Sequence, residues 1–176
     1  MSGTPNFEVK IMRKTLGLIL LAVAAAIFLP ALAQAQGGAK QGPVVNRDPD
    51  MEKESLHNLE AARLYFKLRK AYVASLQRCE EIMAGNPEFS KIDEVLYIAG
   101  KSTLYLSESK GKQSPSLYRR GGGAGAPAVT VTPEEFRNEA RDYLSQLVNN
   151  YPESKFRDEA LDDLKTLGGV KPKPQP

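Results

Sequence analysis

Apolar residues recur along much of this chain at steps of three and four, the spacing of one face of a helix, and nowhere alternate as a strand would. From Asp48, whose side chain can cap, with Pro49 at the first helical position, Leu56, Leu59, Ala62 and Phe66 form a first stripe. Tyr72, Ser75, Leu76, Cys79, Ile82 and Met83 form a second, which ends at Gly85-Asn86-Pro87. No glycine or proline separates the two, so they could form one long helix; the repeat register described below favours a break near Arg69-Lys70 instead. Ser90, with Asp93 three positions on, opens a third helix with Ile92, Val95, Leu96, Ala99, Thr103 and Leu106 on its face. Gly100 lies inside it, at a cost of about 1 kcal/mol relative to alanine, and marks a close helix contact.

Residues 107–131 lose the period. With Lys110, Lys112, Arg119, Arg120 and the run Gly121 to Gly125 they read as a mobile basic insertion that cannot bury a core. Thr132-Pro133-Glu134-Glu135 then writes a capping box with proline at the first helical position. Phe136, Ala140, Tyr143, Leu144, Leu147 and Val148 follow at helical spacing as far as Tyr151-Pro152. Ser154 starts a fifth helix through Phe156, Ala160, Leu161, Leu164 and Leu167, stopped by Gly168-Gly169. The remaining tail, residues 168–176, is too rich in proline to fold compactly. The expected fold is all-α, with about five helices.

A slide of 65 residues lays Pro87-Glu88 on Pro152-Glu153, Asp93-Glu94 on Asp158-Glu159, Leu96 on Leu161, and Ile82-Met83 on Leu147-Val148. A helical-hairpin repeat takes about 34 residues, so the excess of roughly 30 matches the insertion. The chain thus reads as stacked antiparallel helical hairpins, tetratricopeptide-like, over residues 48–167, with a disordered loop inserted in the second. Leu59, Ala62, Phe66, Tyr72, Ser75, Cys79, Ile82 and Pro87 fill the large, small and proline positions of that repeat. Arg63 stands where a small residue is usual and Lys70 where a turn glycine is usual.

The N-terminus reads as an address. Arg13 and Lys14 precede an apolar or glycine run from Leu16 to Leu29, Pro30 breaks it, and Ala31-Leu32-Ala33 has the small residues a signal peptidase needs. The run falls short of the roughly 20 residues that span a bilayer. Residues 1–35 are therefore expected to be a signal peptide with an extra polar leader before Met12, an alternative start, with cleavage between Ala33 and Gln34 or shortly after. Residues 36–47 then form a disordered linker. No cysteine follows the cleavage point, so no lipid anchor is expected there.

Composition narrows the chemistry. The 176 residues carry a formal charge of +3, and cutting after Ala33 leaves about +1, too weak a bias to imply nucleic acid. One cysteine and one histidine leave no disulfide framework and no Cys/His zinc site within one chain. His57 has no nucleophile motif to serve, and Cys79 sits on an apolar face as a small hydrophobe. The adjacent pairs Glu80-Glu81, Glu134-Glu135 and Asp162-Asp163 do not face each other on a helix and make poor acid/base or metal pairs. No cofactor and no catalysis are expected. The basic insertion suits peripheral attraction to acidic lipid or peptidoglycan groups, or simple solvation.

The segments Ala62-Arg63-Leu64-Tyr65-Phe66, Lys70-Ala71-Tyr72 and Asn86-Pro87 resemble the tetratricopeptide core of the outer-membrane assembly lipoprotein BamD family. So do Ala140-Arg141-Asp142-Tyr143-Leu144 and Asn150-Tyr151-Pro152-Glu153-Ser154-Lys155-Phe156 with Glu159-Ala160-Leu161. The resemblance covers roughly residues 50–167 without the insertion; it lacks the lipid-bearing cysteine and has about two and a half hairpins. It implies an exported protein at the periplasm or the periplasmic face of the outer membrane. The implied role is non-catalytic: to bind a barrel-insertase component or an unfolded outer-membrane protein segment. The other reading of the same repeat is a periplasmic scaffold for cell division or secretion. In the repeat's register the first helix of each hairpin lines a groove, which nominates Glu60, Leu64 and Lys67, then Tyr97, Lys101 and Tyr105, as partner-binding residues, with the tyrosines as exposed platforms.

Overall fold

The structure, a computed structural model, describes residues 47–120 and 129–173, all within the unit Val45–Pro176. The expected signal peptide, its cleavage point at Ala33 and Gln34, the linker up to residue 46, the glycine run and residues 174–176 lie outside the described residues.

Helix α1 spans Pro49–Arg63 and runs into a π-helical turn, Leu64–Arg69. α2 is Tyr72–Gly85, α3 Ile92–Ser107, α4 Pro133–Asn150 and α5 Arg157–Thr166. Each helix packs on the next in chain order, and the α3–α4 contact is the most extensive. The architecture is mostly helical, with one core formed by the apolar stripes. Leu59, Ala62, Leu76, Cys79, Ile82, Val95, Ala99, Leu106, Phe136, Leu144, Leu147, Ala160 and Leu164 are all buried. α3 is buried on nearly every side, Glu94 and Lys101 included. A helix enclosed in this way is the central one, and its polar residues need partners.

The helix starts and stops follow local chemistry. Asp48 Oδ1 accepts from the Asp50 and Met51 backbone amides, with Pro49 behind it. Thr132 and Glu135 form the reciprocal capping box of α4. α5 closes with Gly168 at φ 92° and the Gly169 amide donating to the Leu164 carbonyl, a Schellman end that only glycine adopts without strain. The break between α1 and α2 falls at Lys70, in the left-handed region at φ 50°, its amide donating to Tyr65.

The 65-residue slide is present in the backbone. The Asn86 amide donates to Ile82, Phe89 to Asn86, and Ile92 to Phe89; Tyr151 donates to Leu147, Ser154 to Tyr151, and Arg157 to Ser154. Both turns are the same three hydrogen bonds at the same offset. Asn86 and Tyr151 share similar dihedrals, φ −144°, ψ 77° and φ −129°, ψ 66°.

Four expectations are corrected. Ser90 does not cap α3: the helix begins at Ile92 after Lys91, with no side-chain cap. Ser154 precedes α5 by a turn, accepts from the Phe156 amide and donates to Asp93 instead. The described parts of the insertion are anchored to the core at a few residues, while most of them stay exposed. The Lys112 amide donates to the Lys70 carbonyl, Gln113 Oε1 accepts from the Ala74 amide, and Tyr118 and Val131 are buried. Arg119–Arg120 and Val129–Thr130 pair antiparallel as β1 and β2, too short to leave a period in the sequence. Finally, residues 168–171 lie along α4 rather than free of it. The Gly168 and Gly169 carbonyls accept from Arg141, the Lys171 carbonyl from Asn149, and the Lys171 amide donates to Ser145. Proline prevents helix there but not an extended segment whose amides and carbonyls find side-chain partners.

Candidate functional site

The six nominated residues split between two environments. Glu60 and Lys67 are exposed and Leu64 is 40 % exposed, so the α1 half of the face is open. The α3 half is covered. Tyr97 stacks on Phe156 with centroids 4.6 Å apart and planes 15° apart. Lys101 Nζ donates to Asp163 Oδ2 at 2.8 Å, lies 3.4 Å from Glu159, and stands 5.4 Å from the Tyr105 ring centroid. Tyr105 packs against Tyr72 and Phe66, at 4.8 and 5.9 Å. The expected exposure of Tyr97 and Lys101 is therefore corrected. α5 and the Phe156 that precedes it lie over them, and Phe156, Glu159 and Asp163 meet the ring and the ammonium that would otherwise have faced solvent. Burial opposes the Lys101 charge, but the Asp163 hydrogen bond and the surrounding acids outweigh it and hold the ammonium protonated. Burial first, and Glu159 second, push the Tyr97 hydroxyl far above the usual phenol range.

Between α1, α3 and the start of α5 lies an open cleft of about 380 Å³, lined by Arg63, Lys91, Asp93, Glu94, Glu153, Ser154, Lys155 and Phe156. Arg63 grips Glu94 through two hydrogen bonds, Nε at 2.7 Å and Nη2 at 2.6 Å, and fixes the cleft wall. The guanidinium's hydrogen bond holds the Glu94 carboxyl below its ordinary range, aided by Arg63, Lys155 and Lys67 charges against an opposing burial effect. The floor is therefore neutralised, and the exposed Lys91 and Lys155 stand beside Asp93 and Glu153 on the rim. The half-buried Phe156 supplies apolar area, with Lys155 Nζ 4.9 Å from its ring centroid.

No local sequence signal marks Glu94, Asp163, Lys155 or Phe156 as site residues. Arg63 was visible only as a large residue in a small-residue position, and its acceptor is 31 residues away, a separation no local pattern spans. Other chemistry-bearing groups are placed plainly. His57 is exposed on α1. Cys79 is fully buried, and burial drives its thiol well above the range where a thiolate forms. Among the described residues no group of three or more His, Cys, Asp or Glu side chains is arranged to hold a metal ion, and no helix is long and apolar enough to cross a membrane. An open cleft with an aromatic surface and charges of both signs suits a peptide segment. No family model, curated protein or solved structure matches the chain.

Proposed function

We propose that the chain is a non-catalytic, exported helical-repeat adaptor in cell-envelope protein assembly, of the kind the BamD family represents. In this reading α1–α2 and α3–α4 are tetratricopeptide-like hairpins, α5 is the first helix of a third, and α1, α3 and α5 share a partner-binding face. The observation that supports it best is the duplicated turn, whose three hydrogen bonds recur 65 residues apart. A repeated hairpin unit brings its first helices to one side, and a cleft lined from α1, α3 and the residues before α5 supports that arrangement. The partner is an unfolded outer-membrane protein segment or a barrel-insertase component, with Glu60, Leu64 and Lys67 extending the contact along α1. Tyr97 and Lys101 hold α5 in place beneath it.

The test is titration of an unfolded barrel-protein segment against the wild type and the Lys91→Glu/Lys155→Glu variant, together with recovery of partners from envelope extract. Loss of roughly 1–2 kcal/mol of binding in the variant, greater at low salt, is expected. Equal binding by wild type and variant removes the cleft from the reading. Recovery of division or secretion components without a barrel insertase favours the scaffold reading instead.

A further inference from the structure

The end of the molecule where α1 stops carries the most exposed large apolar side chain among the described residues, Leu68, at 75 %. Leu64, four positions earlier on the π-helical turn, is 40 % exposed. Cations surround them. Lys67, Arg69 and Lys70 are on the same segment, and Arg69 lies 5.7 Å from the Tyr65 ring centroid. The Lys112 amide donates to the Lys70 carbonyl at 2.9 Å, which brings the exposed Lys110 and Lys112 from the insertion alongside. The nearby acids are Glu108, 2.7 Å from Lys110, Glu60, one turn back on α1, and Glu94, whose carboxyl feels the Lys67 charge. Beneath this surface the Phe66, Tyr72 and Tyr105 rings pack the π-helical turn against α2 and α3.

The geometry points to a docking surface for an anionic lipid bilayer, in which Leu68 enters the interface and Lys67, Arg69, Lys70, Lys110 and Lys112 meet acidic headgroups. Charge complementarity selects the occupant, since the five cations outnumber the three neighbouring acids. Shape decides between lipid and an acidic protein. Leu68, three-quarters exposed on the turn, lines none of the clefts described above, whereas peptide recognition uses a concave seat. An exposed leucine ringed by lysine and arginine is the composition of a segment that lies in a membrane surface. The surface adjoins the contact proposed along α1 at Leu64 and Lys67, but its test residues Leu68, Lys70 and Lys112 are not those that test the Lys91–Lys155 cleft, so either can fail without the other.

The chain has no tryptophan, which makes Leu68→Trp a local reporter in the full protein. Its emission is followed on mixing with phosphatidylcholine vesicles and with vesicles that also contain phosphatidylglycerol. A blue shift with quenching by brominated lipid is expected on the anionic vesicles alone, weakening as salt is raised. Adding Lys70→Gln and Lys112→Gln should weaken the response roughly 25-fold, about fivefold for each cation removed. Both lysines are exposed, and unchanged circular dichroism and melting will show that the variant is folded. No shift, or an equal shift on neutral vesicles, overturns the proposal. So does a stronger response to a polyglutamate peptide than to anionic vesicles, which would make the occupant an acidic protein.

Discussion

Lys101 Nζ and Asp163 Oδ2, 62 residues apart in sequence, stand 2.8 Å from each other and tie the central helix α3 to α5. The lysine is nearly buried, while Asp163 keeps partial access to water. Lys101→Ala should therefore cost more than an exposed pair and less than a fully buried one, about 1–3 kcal/mol, read from denaturant unfolding. The loss should be shared with Asp163→Ala rather than additive in the double variant.

Gly100 faces α4 so closely that a Cβ there would stand 2.7 Å from Leu144 Cγ and Cδ2. Alanine is the better helix former by about 1 kcal/mol, but overpacking of this kind costs about 1–3 kcal/mol. Gly100→Ala should thus be destabilising on its own. Paired with Leu144→Ala it should be less harmful than the sum of the two, because the added methyl enters the space the leucine vacates. Thermal melts of the single and double variants check this.

Tyr118 pins the insertion to the core: its ring lies 5.5 Å from Phe136, and its hydroxyl donates to Glu80 Oε1 at 2.5 Å. Tyr118→Ala should cost about 3 kcal/mol or more. Deletion of residues 111–126 should cost at least as much, because it removes this ring and uncovers Phe136. The sequence pattern alone would class that segment as dispensable. Comparing the melting temperatures of the deletion and the point variant tests the difference.

Two acids on adjoining helices should give opposite pH dependences. The Arg63 hydrogen bond keeps Glu94 below the ordinary carboxylate range. The unfolded chain then binds more protons, and this contribution is complete above the unfolded pKa and lost as pH falls through the folded one. Glu80 is raised by burial, against a smaller lowering by the Tyr118 hydrogen bond. Its contribution is present below the unfolded pKa and lost as pH rises through the folded value. Glu94→Gln should flatten the acid side of the stability profile. Glu80→Gln, whose carbonyl still accepts from Tyr118, should leave neutral-pH stability equal or higher and remove the opposite slope. Urea unfolding across the acidic range reads both.

Locally written features were legible in the sequence. The caps at Asp48 and Thr132, the Gly168 stop, the five helical stripes and the 65-residue slide rest on interactions within a turn or two, where residue type and spacing suffice, whereas the break at Lys70 followed only from the register of the repeat. Tertiary structure alone decided which polar residues would be covered. Tyr97 and Lys101 have the spacing of an exposed face, and only the arrival of Phe156, Glu159 and Asp163 from α5 makes that face an interior. Tyr118 and Lys171 lie in segments with no helical period, yet long-range partners hold them: Phe136 and Glu80 for one, Ser145 and Asn149 for the other. The Arg63–Glu94 grip that builds the cleft is of the same kind. Periodicity reports which side of a helix is apolar. Whether a polar side is wet depends on what packs against it, and that partner is set by the path of the whole chain.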